Sequence, residues 1–393
     1  LKVGESQRKD GLYMYRYTDE RTGKRVAIYD ADLAALREKE RQIAREMDDG
    51  IVTDRAAKKL TVNALFERYI ESKKLADSTR SNYIATWNNR VRDESGGMKV
   101  VQVRPSHIRL FYSRLTKDGY SHSTIKLIHN LLYPSFEMAV DDDIIRKNPA
   151  KDALGDNGEP AKEKMALTPS YQNRLLSFVE RSSVYNVYLP MLQIMIGTGC
   201  RCGELIGLTW ADVDMEKKEV SISCQLIYKN YGDGYKFHVS TPKTDAGIRK
   251  IPMSETVYKA FTAQKRQNFL QRIQRNVEIE GRTDFIFMSK NGRPLMPSAV
   301  KNVLYNIVAA YNKQETEQAK KEKREAECMP SISAHTLRHT GCTRMAEQGL
   351  DMKVVQYIMG HANIGVTMEV YNHITERARI ENEIAKMDAV QIV

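Results

Sequence analysis

The chain has 393 residues, enough for about two or three domains at ~150 residues each, and its 61 Lys and Arg against 50 Asp and Glu leave a net charge of +11. With a pI of 9.2 it favours a polyanionic partner, but the excess is spread along the chain without a basic tail, so a nucleic-acid surface has to be built by folding. The longest apolar stretch, Val187 to Ile196, is too short and interrupted to span a bilayer; no signal peptide is read, and five unpatterned cysteines point to a reducing compartment.

Residues 12–17, Leu-Tyr-Met-Tyr-Arg-Tyr, put Tyr13, Tyr15 and Tyr17 on one face, the alternation of a strand. A turn at Thr22-Gly23-Lys24 leads to a second strand, Arg25 to Tyr29. A helix follows from about Asp32, with Leu33, Leu36, Ile43 and Met47 as its inward stripe. Residues 1–50 are thus expected to form a small sheet plus helix that carries Arg8, Arg16, Arg21, Lys24 and Arg25. Sheets of this kind can lie in a DNA groove; a solvated charged face is the plainer alternative.

Residues 60–150 read as helical throughout. Thr61 and Ser78 stand where N-caps belong, ahead of Leu65-Phe66, Tyr69-Ile70 and Tyr83-Ile84, Trp87. Pro105-Ser106 opens another helix with Ile108, Leu110, Phe111 and Leu115, and Ser123 opens the last, with Ile125, Ile128, Leu131, Leu132, Phe136 and Ala139. These apolar spacings predict a bundle core. Lys73, Lys74, Arg80, Arg90, Arg92 and Lys126 are left to meet phosphates. Asn148-Pro149 ends the bundle, and residues 151–164, rich in Gly, Asp, Lys and Glu, read as a linker.

The last domain, 165–393, begins with an apolar helix from Val187 to Ile196, stopped by Gly197-Thr198-Gly199, which delivers Arg201 to the start of the next helix with Glu204 as a group that orients it. Three antiparallel strands, roughly 219–228, 235–241 and 247–253, follow, the first two joined at Gly232-Asp233-Gly234. Lys243 falls in the second turn. Residues 313–327 read as a solvated helical extension, and His335 and Arg338 lie one helical turn apart. Beyond Tyr371, the run Ile374, Ala378, Ile380, Ile384, Met387 predicts an amphipathic helix that docks on its own domain or on a neighbouring chain.

Arg201, Lys243, His335, Arg338 and His361, with Tyr371 after them, suit the gripping of a phosphodiester while a tyrosine attacks it. Phosphoryl transfer spreads negative charge over the non-bridging oxygens, and preorganised cationic donors there lower the barrier. Guanidinium groups are planar, always charged and forked to match phosphate. A phenol of pKa about 10 is only ~0.1% ionised at neutral pH, so the tyrosine needs a cationic pocket or a base, which His335 or His361 can supply. Lys243 can protonate the 5′-oxygen leaving group. Tyr357 is the nearest rival to Tyr371, but the run Val354 to Met359 around it reads as a packed helix. His335 and His339 also have the i, i+4 spacing of zinc-binding helices, yet Thr336 stands where that motif has Glu, and Arg338 puts a positive charge beside the ion.

Thr198-Gly199-Cys200-Arg201-Cys202-Gly203-Glu204, Thr241-Pro242-Lys243-Thr244, His335-Thr336-Leu337-Arg338-His339, Met359-Gly360-His361 and Met368-Glu369-Val370-Tyr371 resemble the motifs of tyrosine recombinases, the integrase family of phages and conjugative transposons. Cys200, where that family often has an aliphatic residue, is a small departure. The resemblance implies a multidomain α+β protein: an arm-site DNA-binding sheet-plus-helix domain, a helical core-site-binding bundle, and a mainly α catalytic domain with a three-stranded antiparallel sheet. It implies Arg201 and Arg338 as the phosphate clamp, Lys243 as general acid, His335 in proton transfer, His361 on the phosphate, and Tyr371 as the nucleophile forming a 3′-phosphotyrosine. The implied activity is metal-independent, cofactor-free site-specific recombination of a mobile element by a homotetramer on double-stranded DNA, through a Holliday junction, in the bacterial cytoplasm. Arm and core attachment sites, an excisionase and a host DNA-bending protein are the implied partners, and the C-terminal helix is expected to dock on a neighbouring protomer. A type IB topoisomerase and a non-cleaving DNA-binding regulator are the alternatives.

Overall fold

A computed structural model of the chain describes residues 1–18, 23, 25–48, 59–160, 166–232, 234–242, 244–271, 277–365 and 367–368. Arg21, Lys24, Lys243, Tyr371 and the helix expected after Tyr371 lie outside the described residues. The chain divides into two compact units, Leu1–Lys162 and Glu163–Val393.

The first unit opens with a three-stranded antiparallel sheet, β1 (Glu5–Gln7), β2 (Tyr13–Thr18) and β3 (Arg25–Asp30), and then α1 (Leu33–Asp48). Sequence periodicity finds only two of these strands, because three residues are too few to display alternation. Asp32 caps α1, its carboxylate accepting from the Ala34 and Ala35 amides at 3.2 Å, and Leu36 and Ile43 are buried. Glu5, Tyr15 and Ile28 are cross-strand neighbours. Glu5 accepts from Arg37 of α1 at 3.0 and 3.2 Å, so this face of the sheet receives the helix.

Among the described residues four helices follow: α2 (Val62–Ser72), α3 (Asp77–Arg90), α4 (Pro105–Lys117) and α5 (His122–Asp141). Thr61 caps α2 through the Ala64 amide, as its position predicts. Ser78 and Ser123 instead lie inside first turns: the N-caps are Ala76 and Ser121. For α3, Asp77 puts a carboxylate at the positive end of the helix dipole. Leu110 is 64% exposed and Tyr112 is buried instead, since the stripe 108, 111, 112, 115 keeps the helical period and 110 does not. Phe66 and Trp87 stack at 3.9 Å in the middle of the bundle. Residues 151–160, within the expected linker, fold back onto the bundle: the His122 amide donates to the Glu159 carbonyl at 2.8 Å, and Ala153 is buried.

The second unit is mainly helical, with α6 (Pro169–Arg181), α7 (Leu189–Thr198), α8 (Cys202–Gly207), α9 (Glu255–Leu270), α10 (Pro297–Glu322), α11 (Ala334–Glu347) and α12 (Met352–Met359). Its strands are β4 (Val213–Asp214), β5 (Glu219–Ile222), β6 (Gln225–Asn230), β7 (Tyr235–Ser240) and β8 (Arg249–Pro252). The expected three-stranded sheet is divided. The run 219–228 breaks after Ile222, so that β5 lies between β4 and β8 while β6 pairs with β7 as a separate hairpin. β6 leaves the sheet to lie against α8, whose glycines present bare backbone to it: a Cβ on Gly207 would stand 3.0 Å from the Leu226 amide. The charged run is helical only to Glu322, and the chain then turns back, with Met329 bonded in both directions to Asn312 of α10.

α7 is the axis of this unit. It packs against α9 and α11, and a Cβ on Gly341 of α11 would come within 2.1 Å of the Ile196 carbonyl. That close crossing brings the C-terminal end of α7 beside Arg338.

Candidate active site

Two helices end here on left-handed glycines. Gly199 closes α7 at φ 58° and Gly360 closes α12 at φ 61°, and a Cβ on Gly199 would lie 2.4 Å from the Met359 sulfur. Helix ends leave carbonyls without intrahelical partners and carry partial negative charge. Arg338, on α11 and 3% exposed, takes one from each: Nη1 donates to Gly199 O at 2.5 Å and Nη2 to Met359 O. Burial, then the charge of Arg201, pushes its pKa down to about 10, so it stays a cation at neutral pH.

Arg201 is the N-cap of α8. Its amide donates to Glu204 Oε2 at 2.8 Å, its Nη1 to Glu204 Oε1 at 2.7 Å, and its Nη2 to Gly360 O at 3.1 Å. The sequence reading of Glu204 as the group that orients Arg201 has this geometry. The Arg201 side chain remains 41% exposed while Glu204 is at 3%. Burial alone would raise the Glu204 pKa; the Arg249 hydrogen bonds and charge, with the Arg201 hydrogen bonds, outweigh it and hold the carboxylate below its ordinary value.

His361 follows Gly360 directly. Its Nδ1 is 2.9 Å from Thr367 Oγ1, and Thr367 is fully buried. Burial first, then Arg338, Arg201 and His339, bring the His361 pKa down to about 4. The imidazole is therefore neutral at physiological pH. His335 is exposed on α11, and its ring meets that of His339 edge-on at 4.5 Å. Arg201, Arg338 and His361 thus converge, and His335 contacts His339, whose charge bears on His361. Pro242 and Thr244, the chain neighbours of position 243, line a cleft of about 340 Å³ together with Arg201, Glu204 and Gly360. Tyr357 is half exposed on α12, and its hydroxyl accepts the Lys250 amide at 3.1 Å.

Sequence reasoning misses two neighbours of this cluster: Thr367 beside His361 and Arg249 beside Glu204. The last carried a signal, since strand alternation in β8 puts Arg249 on the same inward face as Ile251. No group of three His, Cys, Asp or Glu arranged to hold a metal ion occurs among the described residues. Nor is any described helix long and apolar enough to cross a membrane.

In the first unit, the sheet face opposite α1 presents Arg16 together with Tyr29, over whose ring Arg8 lies at 5.5 Å. Arg25 is exposed at the start of β3. On the bundle, Lys73, Lys74 and Lys126 are exposed. Arg80 donates to the Lys73 carbonyl at 3.1 Å, Arg90 lies 4.6 Å over the Tyr120 ring, and Arg92 is shared between Asn88 at 2.7 Å and Glu67 at 3.3 Å.

Residues 166–377 match the phage integrase family, and residues 1–47 match the DNA binding domain of tn916 integrase. The chain is 33% identical to the transposase from transposon Tn916 of Enterococcus faecalis, over 95% of this chain and 92% of that protein. The Tn1549 transposon integrase, solved in complex with a circular intermediate DNA, superposes with a TM-score of 0.72 at 32% identity, covering 83% of this chain and 99% of that one. A lambda integrase dimer bound to a core site shares the fold at 16% identity, with a TM-score of 0.56 over 96% of each chain.

Proposed function

The chain belongs to the phage integrase family, the tyrosine recombinases, and on that footing we propose that Arg201, Arg338 and His361 grip one scissile phosphate while Tyr371 attacks it. The protein is a site-specific DNA recombinase of the kind that serves conjugative transposons as integrase. The observation that carries the residue assignment is the approach of both guanidinium groups to consecutive carbonyls, Met359 and Gly360, immediately before His361.

Each guanidinium has five N–H donors, and the carbonyl and carboxylate bonds fix its plane while leaving donors for phosphate oxygens. Charge that develops in the transition state meets cations already in place, without reorganisation. Neutral His361, held by Thr367 on one ring nitrogen, offers the other to a non-bridging oxygen. Lys243 protonates the departing 5′-oxygen and His335 assists proton transfer. The 3′-phosphotyrosine conserves the energy of the broken phosphodiester, so the reaction requires no external energy source.

Four protomers bring two DNA sites together, cleave one strand of each, exchange them through a Holliday junction and repeat on the other pair. A lambda integrase tetramer bound to a Holliday junction has the same fold. Residues 1–50 take arm sites, residues 60–150 take core sites, residues 165–393 cut, and the C-terminal helix docks on a neighbour. An excisionase and a host DNA-bending protein are the accessory partners, and the reaction runs on DNA in the bacterial cytoplasm. Trapping on a nicked core-site duplex tests the reading: Tyr371→Phe abolishes the covalent protein–DNA adduct, and an adduct that persists sinks the nucleophile assignment.

A further inference from the structure

Resting on that assignment of Arg201 and His361, we infer that Arg249 is a positioning residue for strand cleavage, a buried cation that locks three separate pieces of the phosphate site into one register. Its side chain is 0% exposed, so DNA does not reach it. Yet each of its three guanidinium nitrogens donates toward the site. Nη2 donates to Glu204 Oε2 at 2.9 Å and Nη1 to Glu204 Oε1 at 3.3 Å. Nη1 also donates to the Gly247 carbonyl at 3.0 Å, and Nε to the Ile358 carbonyl at 2.7 Å.

Those three acceptors belong to different parts of the chain. Glu204 orients Arg201. Gly247 closes the turn after Thr244 and lies so close to Pro242 that a Cβ on it would stand 2.3 Å from the proline Cβ, which packs the turn against Pro242. Ile358 is the penultimate residue of α12, two positions before the glycine that leads into His361. A planar fork can bind all three at once; the point charge of a lysine cannot.

Glu204 shows why the charge is also needed. Its two oxygens accept four bonds, two from Arg201 and two from Arg249, which fills the lone-pair capacity of a carboxylate. With Arg249 answering the carboxylate from behind, Arg201 keeps part of its charge for the phosphate. Without it, Glu204 draws the Arg201 guanidinium inward, away from the reacting oxygen atoms. The loss therefore falls on the cleavage step rather than on DNA binding.

The experiment is single-turnover adduct formation on a nicked core-site duplex over a range of duplex concentrations, with Arg249→Gln and Arg249→Lys. The rate at saturating duplex falls about 10²-fold in both, the scale of a misplaced catalytic group, while the half-saturating concentration stays that of the unaltered protein. A saturating rate equal to that of the unaltered protein, or a loss confined to the half-saturating concentration, overturns the inference. Should Arg249→Gln not fold, Arg249→Lys decides by the same two quantities. Unimpaired adduct formation by Arg201→Gln removes the underlying assignment; impaired formation there, with normal cleavage by Arg249→Lys, removes only the role of Arg249.

Discussion

Arg201 donates from Nη2 to the carbonyl of Gly360 at 3.1 Å, across 159 positions of sequence. The contact exists because Gly360 turns α12 off in the left-handed region, aiming its carbonyl back at α8. An alanine there costs about 1–2 kcal/mol in backbone conformation. Its Cβ would also stand 2.9 Å from Arg249 Nη1 and 3.0 Å from the Ala246 carbonyl, and buried Arg249 has no room to yield. Gly360→Ala is expected to lower the melting temperature and to slow adduct formation. Gly281, at φ 80° with nothing within 4 Å of where a Cβ would stand, is the control: Gly281→Ala carries the backbone strain alone and leaves cleavage unchanged.

His361 gives a pH prediction with a definite sign. Its folded pKa of about 4 lies below the ordinary histidine value of 6.5, so the unfolded chain binds this proton first as pH falls. The stability contribution is complete above the unfolded value and drains away as pH drops from 6.5 towards 4. Nitrogen NMR of the His361 ring should show a midpoint near the lower end of that interval; a midpoint at the ordinary value refutes the buried, cation-flanked environment. Thr367→Val removes the partner of Nδ1, and slower cleavage with unchanged DNA affinity is the expected result.

The lysines of the bundle separate from its arginines. Lys73, Lys74 and Lys126 are exposed, whereas Arg92 is already shared between Glu67 and Asn88. Alanine at each lysine should weaken duplex binding across sequences and lower the slope of log affinity against log salt by about 1. Arg92→Ala should change the slope less. Equal slopes for all four variants would contradict the phosphate-contact reading of the lysines.

What the sequence made legible follows the range of the interaction. Arg201, Glu204, Arg338 and His361 stand in short local motifs, and α8's capping geometry alone brings Glu204 onto Arg201. Helical periodicity likewise exposes most of the bundle core. Arg249 and Thr367 escape because each acts through a partner far away or in a turn with no period: Arg249 meets Glu204 45 positions off and Ile358 109 positions off. β1 escapes by shortness. The break between β5 and β6 escapes because β6 lies against α8, where Gly203 and Gly207 leave room for its backbone, a tertiary fit that no strand pattern records. Cys200, the departure from the family's aliphatic residue, is fully buried with its thiol pushed up to about 12 by burial, and so behaves as the apolar side chain it replaces.

The chain after Tyr371 offers the remaining test of assembly. In the sequence Ile374, Ala378, Ile380, Ile384 and Met387 recur among charged residues, the pattern of an amphipathic helix, which needs a surface to cover its apolar face. If that surface is a neighbouring protomer, removing the residues after Thr375 leaves a single protein bound to one core site largely intact but uncouples the segment that carries the proposed nucleophile from the next subunit. Gel-shift binding to an isolated half-site should then match the full chain, while strand exchange between two sites is lost. If the helix docks on its own domain, the truncation instead lowers the melting temperature of the isolated protein before any DNA is added. A truncated protein that cleaves and exchanges strands normally excludes docking in trans.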